Sequence, residues 1–289
     1  MLLVNQWPSE RVIKLWADIT AILDDRMPDW RDRVEIMGLT KAVEDRGMGR
    51  KWNDAESFEA LVLALLSNNT VWDNVEPLRP NLRDVFFDFN RYKYAACSDD
   101  DIKNIVGWFK ERNAASMVLP RGLRLLRNTA CILSYYTQQS GRSVEDLFLD
   151  GLTQVGGDPK ELAILIGNAR FDSKWKLPGF GIPLAAEAIR NLGFDIAKPD
   201  RHILRACGEF KLVSYDRWNR DKPRSCPAAS VQEFRETLMA MEILAKVNAI
   251  SVALADNAIW LACAKCREPR LWLTNSELAE LSAVTQYPP

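Results

Sequence analysis

The segment 177–205, LPGFGIPLAAEAIRNLGFDIAKPDRHILR, constrains the fold of this chain more than any other feature. Gly179 and Gly181 tolerate backbone angles that side chains forbid, and they therefore predict a tight turn. The residues that follow predict a helix over 184–191, and a short loop then delivers one carboxylate, Asp200. The glycine turn suits the binding of a phosphate, and the carboxylate suits acid–base or electrostatic chemistry.

Two lysines flank the turn, at positions 174 and 176. Backbone amides at a helix N-terminus that follows a glycine turn form an anion site, and Lys174 and Lys176 would strengthen phosphate binding there. Pro178 stiffens the start of the turn, and Gly193 is placed to end the helix. A Gly-Phe-Gly tripeptide alone is typical of an ordinary turn, so the residues downstream decide between the two interpretations.

Segments 177–181 (LPGFG) and 199–205 (PDRHILR) together resemble the helix-hairpin-helix DNA glycosylase superfamily, whose pattern is roughly LPGVG, a helix and VDTHVxR. The resemblance implies a two-lobed helical fold, double-stranded DNA as the partner and Asp200 as the catalytic residue. It places the 179–181 turn, Gly-Phe-Gly with Phe180 at its centre, on the DNA, and it gives His202 a structural role. The alternative is that Asp200 only caps the helix that follows; both roles can hold at once.

A second match to the superfamily lies upstream, where residues 65–70 read LLSNNT and the family commonly has ILSQQT. These residues lie within 58–75, which predicts an amphipathic helix followed by a polar turn. The resemblance implies that Asn69, with Asn68 beside it, is a wedge that enters the duplex where the base has left. The alternative is that the Asn pair is an ordinary helix cap and turn.

Segments 79–134 and 193–216 also resemble 3-methyladenine DNA glycosylase I, a divergent member of the superfamily. That enzyme has a zinc site of Cys and His, whereas this chain has one His, so the zinc site cannot be carried over. The glutamate and the QAG-type run of that branch are missing as well. Together the resemblances cover most of residues 55 to 215.

Superfamily members that also cut the DNA backbone carry a lysine two residues after the second hairpin glycine, and this chain has Pro183 there. We therefore expect a monofunctional glycosylase that uses water and leaves an abasic site. A base inside a duplex is unreachable, so the nucleotide must be flipped out. A carboxylate held near C1′ would stabilise positive charge on the sugar and orient the attacking water.

Aromatic residues are the candidates for the base pocket, since their faces can stack on a flipped base and attract a cationic alkylated purine. Trp72, beside the wedge, and Trp175, beside the hairpin, are the best candidates among the ten tryptophans, and Tyr135 and Tyr136 are weaker. Most aromatic residues are core, which is the alternative for each. Alkylated purine is the favoured substrate; the alternatives are a bulky modified base such as those in phage DNA, or a non-enzymatic DNA-binding module.

The net charge of −1 neither supports nor excludes nucleic-acid binding. Six basic residues lie close together in the sequence and form either a DNA-binding stripe or a solvated helix face. They are Lys103, Lys110, Arg112, Arg121, Arg124 and Arg127.

Six cysteines raise the question of a metal, but only Cys263 and Cys266 form a C-x-x-C pair. Zinc and iron–sulfur sites need four ligands, and two thiolates supply only half of them, so we expect no metal and no cofactor. We expect the cysteines to be free thiols in a reducing cytosol. The sequence shows no signal peptide or transmembrane run, which predicts a cytoplasmic protein. We expect a monomer without an obligate protein partner.

Helical periodicity dominates the chain and predicts an all-α fold. Ser9 is predicted to cap a helix with the apolar stripe Val12, Ile13, Trp16, Ile19 and Leu23, and serines 98 and 143 precede further helices. Residues 231–265 predict two apolar helices or one long broken helix, and a last helix begins at residue 275. We expect residues 1–54 to pack with a C-terminal lobe of residues 196–289, which begins with the catalytic loop. Residues 55–195 form a helical domain that ends in the hairpin.

Overall fold

The computed structural model describes residues 1–170, 173–219 and 225–263. This part of the chain is all helical and has no β-strand beyond one isolated bridge between Leu2 and Val213, so the all-α prediction is confirmed for it. The helices are α1 (Ser9–Arg26), α2 (Trp30–Met37), α3 (Leu39–Gly47), α4 (Asp54–Leu66), α5 (Trp72–Val75), α6 (Arg79–Val85), α7 (Arg91–Ala95), α8 (Asp99–Glu111), α9 (Leu119–Ser140), α10 (Val144–Gln154), α11 (Pro159–Gly167), α12 (Ile182–Asn191), α13 (Arg201–Glu209), α14 (Val231–Val247) and α15 (Val252–Cys263).

The chain forms two compact units. Residues 49–192 make a continuous inserted unit, and residues 1–48 join residues 193–289 in a terminal unit. The sequence placed these boundaries after residues 54 and 195. Each unit has its own buried core.

Helix α4 is the centre of the inserted unit and contacts α9, α10 and α12. The prediction that this helix is amphipathic is wrong. Nearly every residue from Ser57 to Leu66 is buried, Glu59 being the exception, because neighbouring helices cover the helix on almost all sides. Its polar start is secured by Asn53, which accepts hydrogen bonds from the amides of Ala55 and Glu56 in a capping box.

The predicted helix starts at residues 98 and 143 are confirmed. Ser98 and Asp101 form a capping box at α8, and Ser143 with Asp146 forms one at α10. At α1 the cap position is Pro8 instead of Ser9. The buried stripe of α1 is Val12, Leu15, Ile19 and Leu23, whereas Ile13 is exposed, so the predicted stripe was partly misplaced.

The core of the terminal unit is built on α14 and α15, against which α1 packs. The chain breaks between them at residues 248–251, so the two-helix alternative for this region is correct. Among the described residues, no single helix has the length and hydrophobicity to cross a membrane; α14 and α15 meet that test only as a pair bent by 107°. The helix predicted from Asn275 lies outside the described residues.

Candidate functional site

The glycine turn of the inserted unit lies on α9. The amide of Phe180 donates to the carbonyl of Leu177 at 3.1 Å, and Thr129 of α9 donates through its hydroxyl to the carbonyl of Pro178 at 3.0 Å. Gly179 has φ +90°, a conformation that favours glycine. A Cβ atom at Gly179 would lie 3.0 Å from Leu125, so the turn is in close contact with α9.

The second hairpin glycine, Gly181, is not explained by the fold. Its φ of −82° suits any residue, and a Cβ atom would meet nothing nearer than Pro183 at 4.0 Å. Gly181 is exposed, occupies the N-cap of α12 without a side-chain cap, and its amide donates to no described residue. A glycine at this position leaves room for an external group to approach the backbone closely.

A third glycine, Gly167 at the end of α11, was not singled out from the sequence. A Cβ atom there would overlap the backbone nitrogen of Ile182, so α11 and the start of α12 are in backbone contact. This contact holds the first turn of α12 in place beneath the hairpin. The available sequence signal was a glycine at the last position of an apolar helical pattern.

The rings of Phe180 and Trp175 lie in the core, so the structure corrects two sequence expectations. Phe180 is 1% exposed, and only its backbone can reach a ligand. Trp175 is 6% exposed, packs against Gly151 of α10, and donates through its indole nitrogen to Gln154 at 3.1 Å. Its ring therefore belongs to the core and cannot stack on a flipped base without leaving it.

The two hairpin lysines differ in environment. Lys174 is exposed, and its ammonium lies 4.5 Å from the ring centre of Trp175. Lys176 is half-buried, with its ammonium 3.5 Å from the carbonyl of Gly167. Lys174 is thus the more accessible cation beside the turn, and Lys176 also secures the end of α11.

The turn after α4 presents Asn69 at its tip. Asn69 is exposed and has φ +54°, and its amide donates to the side chain of Asn68 at 3.2 Å. Trp72, half-buried, begins α5 three residues later. Leu65, in the last turn of α4, packs 2.9 Å from the Cβ position of Gly122 on α9, so the end of α4 and the hairpin both contact the first half of α9.

Tyr136 does not belong with these loops. It follows Thr129 by seven residues, about 10 Å along α9. Its hydroxyl donates to Asp150 at 3.0 Å, and Arg142 donates to the same carboxylate at 2.6 Å. Burial and this hydrogen bond raise the pKa of Tyr136. The residue joins α9 to α10, which corrects its expected place in a base pocket.

The candidate catalytic carboxylate, Asp200, lies in the terminal unit and caps α13. Its Oδ1 accepts from the amides of His202 at 2.8 Å and Ile203 at 3.3 Å. Its Oδ2 accepts no hydrogen bond from the described residues and lies 3.9 Å from the ammonium of Lys198. The side chain is 19% exposed, and its two oxygens differ: Oδ1 caps the helix, and Oδ2 has the ammonium of Lys198 as its nearest charged group.

The loop that carries Asp200 is anchored to α15. Asp195 accepts from the amides of Val252 and Ala253, which caps that helix, and buried Asp256 accepts from the amide of Lys198 at 2.9 Å. The amide of Asp200 then donates to the carbonyl of Lys198 at 2.7 Å across Pro199. These contacts fix the Lys198–Asp200 pair, which the sequence interpretation missed although KPD stood in the motif.

His202 has a structural environment. Its Nε2 accepts from Arg201 at 3.3 Å, its ring meets Trp260 edge to face, and its buried Nδ1 has no hydrogen-bond partner among the described residues. Burial lowers its pKa to about 4, and the cations Arg201, Arg205 and Lys198 act in the same direction against the opposing effect of Asp200. The imidazole is therefore neutral at pH 7.

Cys263, at the end of α15, is buried, and burial raises its pKa to about 12. Cys266, the other cysteine of the C-x-x-C pair, lies outside the described residues. Within residues 1–170, 173–219 and 225–263, no group of three or more His, Cys, Asp or Glu side chains is arranged to hold a metal ion.

Of the predicted site residues, the inserted unit thus brings together the hairpin and the Asn68–Asn69 turn, and the terminal unit holds Asp200 and His202. No protein-family model, curated protein or solved structure matches this chain. Function is therefore argued from the chemistry of these groups.

Proposed function

We propose that this protein is a monofunctional DNA N-glycosylase of the helix-hairpin-helix type. It acts as a monomer on double-stranded DNA in the cytoplasm, flips out a damaged or modified base, and hydrolyses the N-glycosidic bond to leave an abasic site. The observation that carries the proposal is that the two oxygens of the Asp200 carboxylate have different environments. Oδ1 is used by the helix cap, and Oδ2 is held in a fixed direction without a hydrogen bond.

This arrangement suits the chemistry of glycosidic cleavage. As the base leaves, positive charge develops on the sugar, and an oriented carboxylate oxygen stabilises that charge without having to reorganise. The same oxygen can accept a proton from the attacking water. Pro183 stands where a lysine nucleophile would be required for strand cleavage, so water is the nucleophile in this proposal.

The hairpin supplies the DNA contact. Gly181 offers an exposed amide with no side-chain cap at the start of a ten-residue helix, and a phosphate oxygen fits this partial positive charge. Lys174 adds an accessible cation beside it. Asn69, exposed at the tip of the α4–α5 turn, is the side chain that would fill the space left by the flipped nucleotide.

An alkylated purine is the favoured substrate, because its positive charge makes it a good leaving group that needs no general acid. A bulky modified base, as in phage DNA, is the alternative substrate. Trp72 is the remaining tryptophan candidate for stacking on the base, since Trp175 is in the core.

The test is base release from DNA, measured by mass spectrometry, with Asp200→Asn as the matched variant. Asparagine caps a helix as well as aspartate, so this variant keeps the fold and loses only the charge. We expect wild type to release a base from methylated, deaminated, oxidised or hypermodified DNA, and Asp200→Asn to release none while still binding DNA. Equal release by both proteins would refute a catalytic role for Asp200.

A second pair of variants tests the hairpin. Gly181→Asp adds a good N-cap and a favourable charge for the helix dipole, so thermal stability should hold or rise, whereas DNA affinity should fall by at least tenfold because a carboxylate meets the phosphate. Gly181→Ser adds a cap without the charge and should lose less affinity. Unchanged affinity in Gly181→Asp would exclude the hairpin as a phosphate site.

A non-enzymatic DNA-binding module is the second candidate. It is favoured by the fact that the helix cap alone gives Asp200 a sufficient structural role. Wild-type DNA binding without base release from any of the four DNAs would support this candidate over the glycosylase.

A further inference from the structure

We propose that Arg121 and Arg124, on the exposed face of α9, form a second phosphate-binding element that continues the hairpin contact along the DNA backbone. The inference rests on the proposed DNA-binding function and specifies which surface of the inserted unit meets the duplex. It does not depend on catalysis by Asp200.

Ion pairing separates the six basic residues that the sequence grouped together. Lys103 pairs with Asp100 at 2.7 Å, Arg127 pairs with Asp99 at 3.0 Å, and Arg112 pairs with Glu111 at 3.4 Å. In contrast, Arg121 and Arg124 are exposed and have no hydrogen-bond or ion-pair partner among the described residues. Lys110 shares this property but lies on α8.

Each of the two arginines precedes a residue of α9 that contacts another segment of the inserted unit. The residue after Arg124 is Leu125, whose Cβ lies 3.0 Å from the Cβ position of Gly179. The residue after Arg121 is Gly122, which contacts Leu65 just before the Asn68–Asn69 turn. The first two turns of α9 therefore carry both arginines beside the residues that contact the hairpin and the end of α4.

Their spacing and chemistry fit a phosphate backbone. Residues three apart on a helix are neighbours on one face, with Cβ atoms about 5–6 Å apart, so the two guanidinium groups can reach successive phosphates. Guanidinium binds phosphate oxygens in a bidentate manner and keeps its charge at every physiological pH. Two unpaired like charges at this spacing repel each other, and an external anion would relieve that repulsion.

The experiment is the salt dependence of binding to a fluorescein-labelled duplex that carries one abasic site, measured by anisotropy from about 50 to 200 mM salt. The slope of log K against log salt is negative, and each lost phosphate contact makes it shallower by about 0.9. The Arg121→Ala/Arg124→Ala variant should therefore have a slope shallower than that of wild type by about 1.8. Alanine is the best helix former and both positions are exposed, so the thermal unfolding temperature should not fall.

The matched control is Lys103→Ala/Arg112→Ala, which removes the same charge from side chains that are already paired. Its slope should equal that of wild type. Equal slopes for the two double variants would overturn the proposal, because the effect would then be one of net charge alone. If wild type binds no duplex at low salt, the proposed DNA-binding function fails together with this proposal. If the slope of the Arg121→Ala/Arg124→Ala variant becomes shallower as expected but wild type releases no base, only the proposed glycosylase activity fails.

Discussion

The single histidine of this chain permits a direct test of the environment described for the Asp200 loop. His202 has a pKa of about 4 in the folded protein, against its ordinary value of 6.5, chiefly because burial disfavours the charged imidazole. Since the folded pKa is the lower one, the unfolded chain takes up a proton first as the pH falls. The contribution of His202 to the free energy of unfolding is therefore complete above pH 6.5 and is lost as the pH falls toward 4.

The magnitude follows from these two pKa values. Between about pH 7 and pH 5, the unfolded state gains about 2 kcal/mol of protonation free energy that the folded state does not. We expect the free energy of unfolding of wild type to fall by about 2 kcal/mol more than that of His202→Gln over this range. Urea unfolding of both proteins, followed by tryptophan fluorescence at several pH values, measures this difference.

A proton NMR titration gives the pKa itself, because the chain has a single imidazole whose ring-proton signals need no assignment among several histidines. We expect that signal to titrate near pH 4. An imidazole that titrates at 6.5 or above, or parallel stability curves for wild type and His202→Gln, would refute the description of His202 as a half-buried, neutral residue that contacts Trp260 edge to face.

Three further changes probe the fold and the carboxylate. Gly167→Ala should lower the free energy of unfolding by about 2–4 kcal/mol in urea titrations, since its Cβ would overlap the backbone of Ile182; a loss below about 0.5 kcal/mol would contradict that contact. Gly179→Ala should cost about 1–2 kcal/mol in the same assay because its φ is +90°, and an unchanged urea midpoint would exclude that conformation. Lys198→Met should slow single-turnover base release severalfold and leave DNA affinity unchanged, whereas Lys198→Arg should retain the rate, because the 3.9 Å ion pair orients the free oxygen of Asp200. A borohydride-trapped adduct with wild type that Lys198→Met abolishes would instead identify this lysine as a nucleophile.

Local features of the fold could be predicted from the sequence, because they depend on residues a few positions apart. The capping boxes at Ser98 and Ser143 are patterns of i and i+3, and the Asp200 cap of α13 has the same origin. The helix stop at Gly193, with φ +79°, is equally local. These features define where helices begin and end without any knowledge of the tertiary structure.

Burial could not be predicted in the same way. Trp175 stands beside an exposed lysine and a glycine turn, yet it is buried because Gly151, far along the chain, has no side chain and leaves room for its ring. The Lys198–Asp200 pair depends on Asp256, 58 residues from Lys198. The unpartnered state of Arg121 and Arg124 likewise appears only when the positions of the surrounding carboxylates are known.

The discontinuous terminal unit has a consequence for biosynthesis. Helices α1–α3 leave the ribosome first, but α14 and α15, which complete their core, are encoded about 200 residues later. At a rate of synthesis of about 5–20 residues per second, α14 and α15 follow α1 out of the ribosome after roughly 10–40 s, and the apolar stripe of α1 is uncovered until then. The inserted unit has all of its 144 residues, 49 through 192, in one run and can fold during that interval. The inserted unit is thus expected to fold before the terminal unit, with the hairpin and α9 formed before α1 has a core to join.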